Sequence, residues 1–150
     1  RICWKLYVPS VKLTNLVSKR TTIVMIVGLG VDVVELDRIE DIWRKHRNRF
    51  TSRILTPAEH QAMPASPVAY LASRFAAKEA AVKALGTGFR SGITFQNLTV
   101  QKQPQGQPQL ILSGRAAEVA HQLSAEFWHL SLSHSRNTAC AVVILETGVI

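Results

Sequence analysis

Val68-Ala69-Tyr70-Leu71-Ala72-Ser73-Arg74-Phe75-Ala76-Ala77-Lys78-Glu79-Ala80-Ala81-Val82-Lys83-Ala84-Leu85 is the stretch on which the fold turns. Neither proline nor glycine interrupts it, and alanine, the strongest helix former, recurs throughout. At about 100° per residue, Leu71, Phe75 and Val82 fall within an arc of roughly 40°, which predicts a helix with one core-facing stripe. Glu79 and Lys83, four apart, share one flank, and Arg74 stands on the other. On a solvated helix Glu79 and Lys83 make an ordinary ion pair. Small alanine neighbours, however, let a second backbone or a ligand come close.

The flanking residues punctuate this helix. Ser66-Pro67 reads as a cap followed by a proline in the first turn, and Gly86 ends the segment. Further upstream, Thr56-Pro57-Ala58-Glu59 is a capping box that opens a short helix. Asp37 reads as the cap of an earlier helix in which Ile39, Ile42, Trp43 and His46 recur at three- and four-residue spacing, ending in the basic run 43–49. Residues 23–34 are β-branched or glycine apart from a few positions, with a single charge at Asp32, and read as a strand buried on both faces.

Downstream of Thr87-Gly88 the pattern turns to strands. Residues 94–101 and 109–112 are joined by the turn-rich 104–108 and read as a hairpin. Ser113-Gly114 starts a third sizeable helix to about Ala125, and two final strands follow at 130–133 and 138–145. The expected fold is α+β, a single domain with a mainly antiparallel sheet packed around a long central helix.

Composition narrows the function classes. No apolar run approaches about 18 residues, so no membrane span is expected. Cys3 and Cys140 are the only cysteines, outside any metal-ligand spacing, which points to a reducing, cytoplasmic setting; Cys140, in the apolar run 139–143, reads as a buried thiol. The net charge of +8 invites a nucleic-acid reading. Yet residues 1–24 carry five basic residues and no acid, leaving +3 for the remainder. Met25 stands directly before the first strand, so residues 1–24 are expected to be an upstream extension or an added segment outside the domain, and residues 25–150 the domain itself. An acid-poor leader also suits an organelle transit peptide, although only two arginines are present.

Three places stand out chemically. Asp32 is a lone carboxylate in an apolar strand and needs a cation or hydrogen bonds. Gly28 and Gly30 do not make a dinucleotide fingerprint, because Val33 stands where the third glycine belongs. The Glu79/Lys83 flank is followed by Gly86-Thr87-Gly88, a loop whose backbone donors suit phosphate oxygens. Ser133-His134 ends an alternating strand, and His134 can bind phosphate or move a proton near neutral pH. A serine hydrolase is disfavoured, since adjacent strand residues point to opposite faces.

Together, in this order and spacing, these segments resemble the holo-[acyl-carrier-protein] synthases, the bacterial 4′-phosphopantetheinyl transferases. Residues 27–36, with Gly28, Gly30, Asp32 and Glu35, look like the family's N-terminal signature; residues 74–88 are similar to its second motif almost letter for letter; and residues 131–135 match the third. Residues 50–56 look like the segment before the middle helices. Val31 departs from the polar residue that many members carry there.

The resemblance implies transfer of the 4′-phosphopantetheine moiety of coenzyme A (CoA) to a serine hydroxyl of apo-acyl carrier protein, releasing 3′,5′-ADP, in support of fatty acid biosynthesis. It implies that Asp32 and Glu79 hold Mg²⁺ and that Lys83 sits on the pyrophosphate. Arg74, Gly86, Thr87, Ser133 and His134 would contact CoA, and Glu79, Lys83 and His134 would be catalytic. Glu79, His134 and a metal-bound water all stand as acceptors for the serine proton. Arg38, Arg44, Lys45 and Arg53 would face the acidic carrier, and the assembly would be a homotrimer with sites at its junctions. A non-enzymatic basic binding module leaves Asp32 and Glu79 without a use. A metal-dependent phosphoesterase acting on a CoA-like nucleotide would share the metal site but use water as nucleophile.

Overall fold

A computed structural model describes residues 23–148; the segment 1–24 expected to lie outside the domain, apart from its last two residues, and Cys3 lie outside the described residues. Five strands and four helices follow in the order β1 (Ile26–Glu35), α1 (Leu36–Ile54), α2 (Pro57–Gln61), α3 (Val68–Ala84), β2 (Leu98–Lys102), β3 (Pro108–Leu112), α4 (Gly114–Gln122), β4 (Ala125–His134) and β5 (Thr138–Thr147). The sheets are antiparallel throughout: a three-stranded one ordered β1-β5-β4 and the β2-β3 hairpin. Helix α3 is the hub, packed on β1, β5, β4, β2 and α1. The α+β expectation, with a long central helix, therefore holds. Among the described residues no helix is long and apolar enough to cross a membrane.

Strand β5 alternates strictly. Ala139, Ala141, Val143 and Leu145 are buried beneath α3, while Cys140, Val142 and Ile144 on the other face are only half-buried. Cys140 is thus less enclosed than its apolar surroundings predict. Strand β1 also departs from expectation. It is an edge strand, and Leu29, Val31 and Val33 on its outer face are 39%, 44% and 61% exposed. Its inner face carries Gly28, Gly30, Asp32 and Val34. A Cβ on Gly28 would overlap the carbonyl oxygen of Ala84, and one on Gly30 that of Ala80. The glycines let α3 lie directly on the strand.

The start signals fare unevenly. The Thr56/Glu59 capping box forms as read. Ser66 does not cap α3, whose N-cap is Pro67, and Asp37 lies in the first turn of α1, where its charge favours the positive end of the helix dipole. Helix α1 runs on past the basic run to Ile54, with a break at Arg47 (φ +26°), whose guanidinium lies 4.1 Å from the Trp43 ring centre. His46, expected on its apolar face, is exposed. Ahead of β2, residues 95–97 form a 3-10 turn instead of strand, capped by Asn97 Oδ1 accepting from Thr94 N at 2.8 Å.

Candidate active site

Helix α3 and strand β1 build the first half of the site. Gly28 meets Ala84 and Gly30 meets Ala80, so two residues forward on β1 correspond to four residues back on α3. The steps match, at about 6.7 Å and 6 Å. Continued by one step, this register sets Asp32 level with Ala76, and Glu79 stands between Ala76 and Ala80 on the flank it shares with Lys83. Lys83 leans back toward the helix N-terminus, as helical side chains do. Its ammonium donates to Asp32 Oδ1 at 2.6 Å and to the Val31 carbonyl at 3.0 Å. The Asp32 side chain is 14% exposed and that of Lys83 48%. The charge anomaly in the strand is thereby answered by a cation from α3.

Asp32 and Lys83 meet beside the flank that carries Glu79, and two carboxylates with an ammonium suit a hard cation shared with an anionic ligand. Among the described residues no group of three or more Asp, Glu, His or Cys side chains surrounds a common point. A cation held by Asp32 and Glu79 would draw its remaining oxygens from water and ligand, which is the habit of Mg²⁺.

The second half lies on the opposite flank of α3. Asp32, Ala141 and Leu132 form one row across the sheet. Leu132 lines a cleft of about 220 Å³ together with Arg74, Gln101, Lys102, Gly106 and Pro108. The Arg74 guanidinium lies 4.0 Å from the Tyr70 ring centre, and its Nε is buried with no hydrogen-bond partner among the described residues. Burial raises the Tyr70 phenol above its usual pKa, against the opposing pull of Arg74. His134 follows Leu132 on the same face, exposed at the strand end, whereas Ser133 points to the outer face beside Cys140. Within one chain, then, Asp32, Glu79 and Lys83 gather on one side of α3, and Arg74 and Lys102 on the other, with His134 at the end of β4.

The loop after α3 differs from its reading. The amides of Thr87 and Gly88 donate to the Val82 carbonyl at 3.2 and 3.1 Å, and that of Gly86 to Lys83 at 3.0 Å. These donors close the helix end, with Gly86 at φ +73° and Gly88 at φ +63°, and so are already engaged. Thr87 Oγ1 is buried and has no hydrogen-bond partner among the described residues. Of the basic residues on α1, Arg38, Arg44, Lys45 and Arg53 are all exposed, and Arg44 pairs with Glu40.

Two features escaped the sequence reading. Lys102 joins Arg74 only because the hairpin folds over α3. Lys78 is fully buried and bonded to Glu59 at 2.6 Å, and burial lowers its pKa against the opposing effect of Glu59. The signal was present, since Lys78 lies about 20° from Leu71 on the helical wheel, at the edge of the core stripe.

Comparison with known proteins agrees with this architecture. The family model of the 4′-phosphopantetheinyl transferase superfamily matches residues 28–143. The holo-[acyl-carrier-protein] synthase of Maridesulfovibrio salexigens is 53% identical over 123 residues, covering 81% of this chain and 99% of the relative. Among solved structures, the holo-[acyl-carrier-protein] synthase of Neisseria meningitidis superposes with a TM-score of 0.75 at 38% identity, over 81% of this chain and 98% of that one. That of Bacillus anthracis in complex with CoA (3′,5′-ADP) superposes with a TM-score of 0.69 at 38% identity, over 83% and 99%. The chain belongs to the 4′-phosphopantetheinyl transferase superfamily, among its holo-[acyl-carrier-protein] synthases.

Proposed function

We propose that this chain transfers the 4′-phosphopantetheine arm of CoA to a serine hydroxyl of an apo-acyl carrier protein, releasing 3′,5′-ADP, with Mg²⁺ held by Asp32 and Glu79, in the cytoplasm and in support of fatty acid biosynthesis. The observation that carries this reading is the Asp32–Lys83 pair beside the flank of α3 that carries Glu79, which suits a cation and a pyrophosphate side by side. In the reaction the serine oxygen forms a bond to the β-phosphorus, the bond to the 3′,5′-ADP oxygen breaks, and the serine proton leaves. Bound Mg²⁺ would supply Lewis-acid polarisation of the phosphoryl oxygens. Lys83 neutralises charge on the departing oxygen. Glu79 or His134 accepts the serine proton.

The separation of the two half-sites by α3 supports an assembly. A heterologous contact that sets the Asp32/Glu79/Lys83 flank of one copy against the Arg74/Lys102 side of the next would let one CoA touch both, and such contacts close into rings. The exposed apolar face of Leu29, Val31, Val33 and Phe127 offers surface for it. A homotrimer, which the family resemblance implies, would meet both conditions. Arg74 and Lys102 would hold the nucleotide phosphates as forked and point donors, with Thr87 Oγ1 and His134 as further contacts, whereas Ser133 faces away from that cleft. Arg38, Arg44, Lys45 and Arg53 present an exposed basic tract to the acidic carrier.

The experiment is direct. Purified chain, CoA, Mg²⁺ and apo-carrier protein are incubated, and the carrier is weighed by mass spectrometry. A gain of one phosphopantetheine is expected; absence of any gain from folded enzyme across several carriers would overturn the transferase reading. Release of phosphopantetheine without carrier modification would favour the phosphoesterase instead.

A further inference from the structure

The Lys78–Glu59 pair lies outside the proposed chemistry, yet it is buried and extensively bonded in the core. Lys78 Nζ donates to Glu59 Oε2 at 2.6 Å, to the Ile54 carbonyl at 2.6 Å and to the Phe95 carbonyl at 3.1 Å. Those three bonds use all of its hydrogens. Glu59 Oε2 also accepts from Thr56 N at 2.8 Å and Thr56 Oγ1 at 3.1 Å, while Oε1 accepts from Val100 N at 2.9 Å. Both side chains are 0% exposed. One ion pair thus ties α3 to the end of α1, the start of α2, the 3-10 turn and β2.

Stability alone is a poor account of such a pair, because well-packed apolar residues in its place often serve as well or better. Direction is what it adds. The faces that α3 buries are mostly alanine, at positions 72, 76, 77, 80, 81 and 84, and small side chains give few ridges with which to lock a helix against roll and slide. A roll of about 15° moves a group at the outer radius of about 5 to 6 Å by about 1.5 Å. Misplacement of about 1 Å can cost on the order of a hundredfold in rate. Glu79 is the next residue after Lys78, and Arg74 lies one turn before it. The Ile54 carbonyl belongs to the residue after Arg53, on the helix that carries the basic tract.

We propose that Lys78 and Glu59 are positioning residues for phosphopantetheine transfer: their bonds fix the roll of α3, and with it the place of Glu79 relative to β1, and they fix the end of α1 relative to that helix. The proposal rests on the transferase reading above. Wild type is therefore assayed first, and failure of wild type to modify the carrier counts against that reading alone.

The discriminating variant is the double Lys78→Met/Glu59→Met, which removes both charges together and so leaves no buried ion unpaired. Its kcat per folded molecule is read alongside calorimetric affinity for CoA in Mg²⁺, with folding followed by near-ultraviolet circular dichroism. The expected result is a folded protein with kcat at least tenfold lower and CoA affinity in Mg²⁺ several-fold weaker. A folded double variant within twofold of wild type in both would overturn the proposal. Should the double variant not fold, Glu59→Gln, which keeps shape but loses a charge-assisted acceptor, is read by the same two measures and the same thresholds. Failure of both to fold would overturn it as well, because the pair would then serve the fold itself.

Discussion

Gly30 and Ala80 meet backbone to backbone: a methyl group on Gly30 would overlap the Ala80 carbonyl oxygen and crowd the Ala84 amide. Neither neighbour is the free end of a side chain, so only movement of α3 relieves the clash. Gly30→Ala is expected to cost about 1 to 3 kcal/mol of stability through overpacking. Activity should fall further than stability accounts for, because the helix that moves carries Glu79 and Lys83. Urea unfolding together with kcat on the folded fraction tests this. Gly86→Ala is the contrast: nothing lies within 4 Å of the added methyl, and only its φ of +73° opposes it, so the expected cost is about 1 to 2 kcal/mol with transfer retained.

Removing either carboxylate should separate chemistry from stability. Asp32→Asn loses an ion pair whose lysine is half-exposed, so its effect on stability should stay within about 1 kcal/mol. Transfer by Asp32→Asn or Glu79→Gln should nevertheless fall by about a hundredfold to a thousandfold, with a raised Mg²⁺ requirement. Initial rates across a Mg²⁺ titration, paired with thermal melts, provide the check. Full activity in either variant would sink the metal assignment.

Much of this site was legible in the sequence, and what was missed has physical reasons. The long helix, its Glu79/Lys83 flank and the opposite placement of Arg74 follow from the 3.6-residue period alone. Strand β1 was misread because a run such as Ile-Val-Gly-Leu-Gly-Val reads alike whether its second face meets its own chain or is left exposed as at Leu29, Val31 and Val33. The Gly86-Thr87-Gly88 donors looked available because composition does not say that the helix end takes them. Lys78 passed unnoticed despite lying at the edge of the core stripe, since its partner Glu59 lies on another helix and was already claimed by a capping box. Lys102 reaches Arg74 only through the hairpin's tertiary placement, to which local periodicity is blind.

The basic tract on α1 predicts a salt signature. Lys45 and Arg53 are exposed, and Arg44 is engaged only by Glu40 on the surface. Raising ionic strength from about 0.05 to 0.3 M shortens the screening length roughly twofold, so KM for the carrier should rise several-fold. The double variant Lys45→Glu/Arg53→Glu should raise carrier KM at low salt by tenfold or more and flatten its salt dependence, with KM for CoA little changed. Equal effects on both KM values would place these residues elsewhere in the mechanism.

The division of charged groups by α3 yields the sharpest test of the assembly. Asp32→Asn disables one flank and Arg74→Met the other, and each variant alone should be nearly inactive. If one copy's Asp32 flank works with the next copy's Arg74 side, a junction in a mixed ring is active when the first copy is the Arg74 variant and the second the Asp32 variant. Random mixing in equal amounts makes that arrangement about one junction in four, so co-expressed variants should recover about a quarter of wild-type transfer. Sites contained within single chains would recover nothing, because every chain would carry one broken half. Activity of the co-expressed mixture, compared with separately purified variants combined too briefly to exchange, distinguishes the two arrangements.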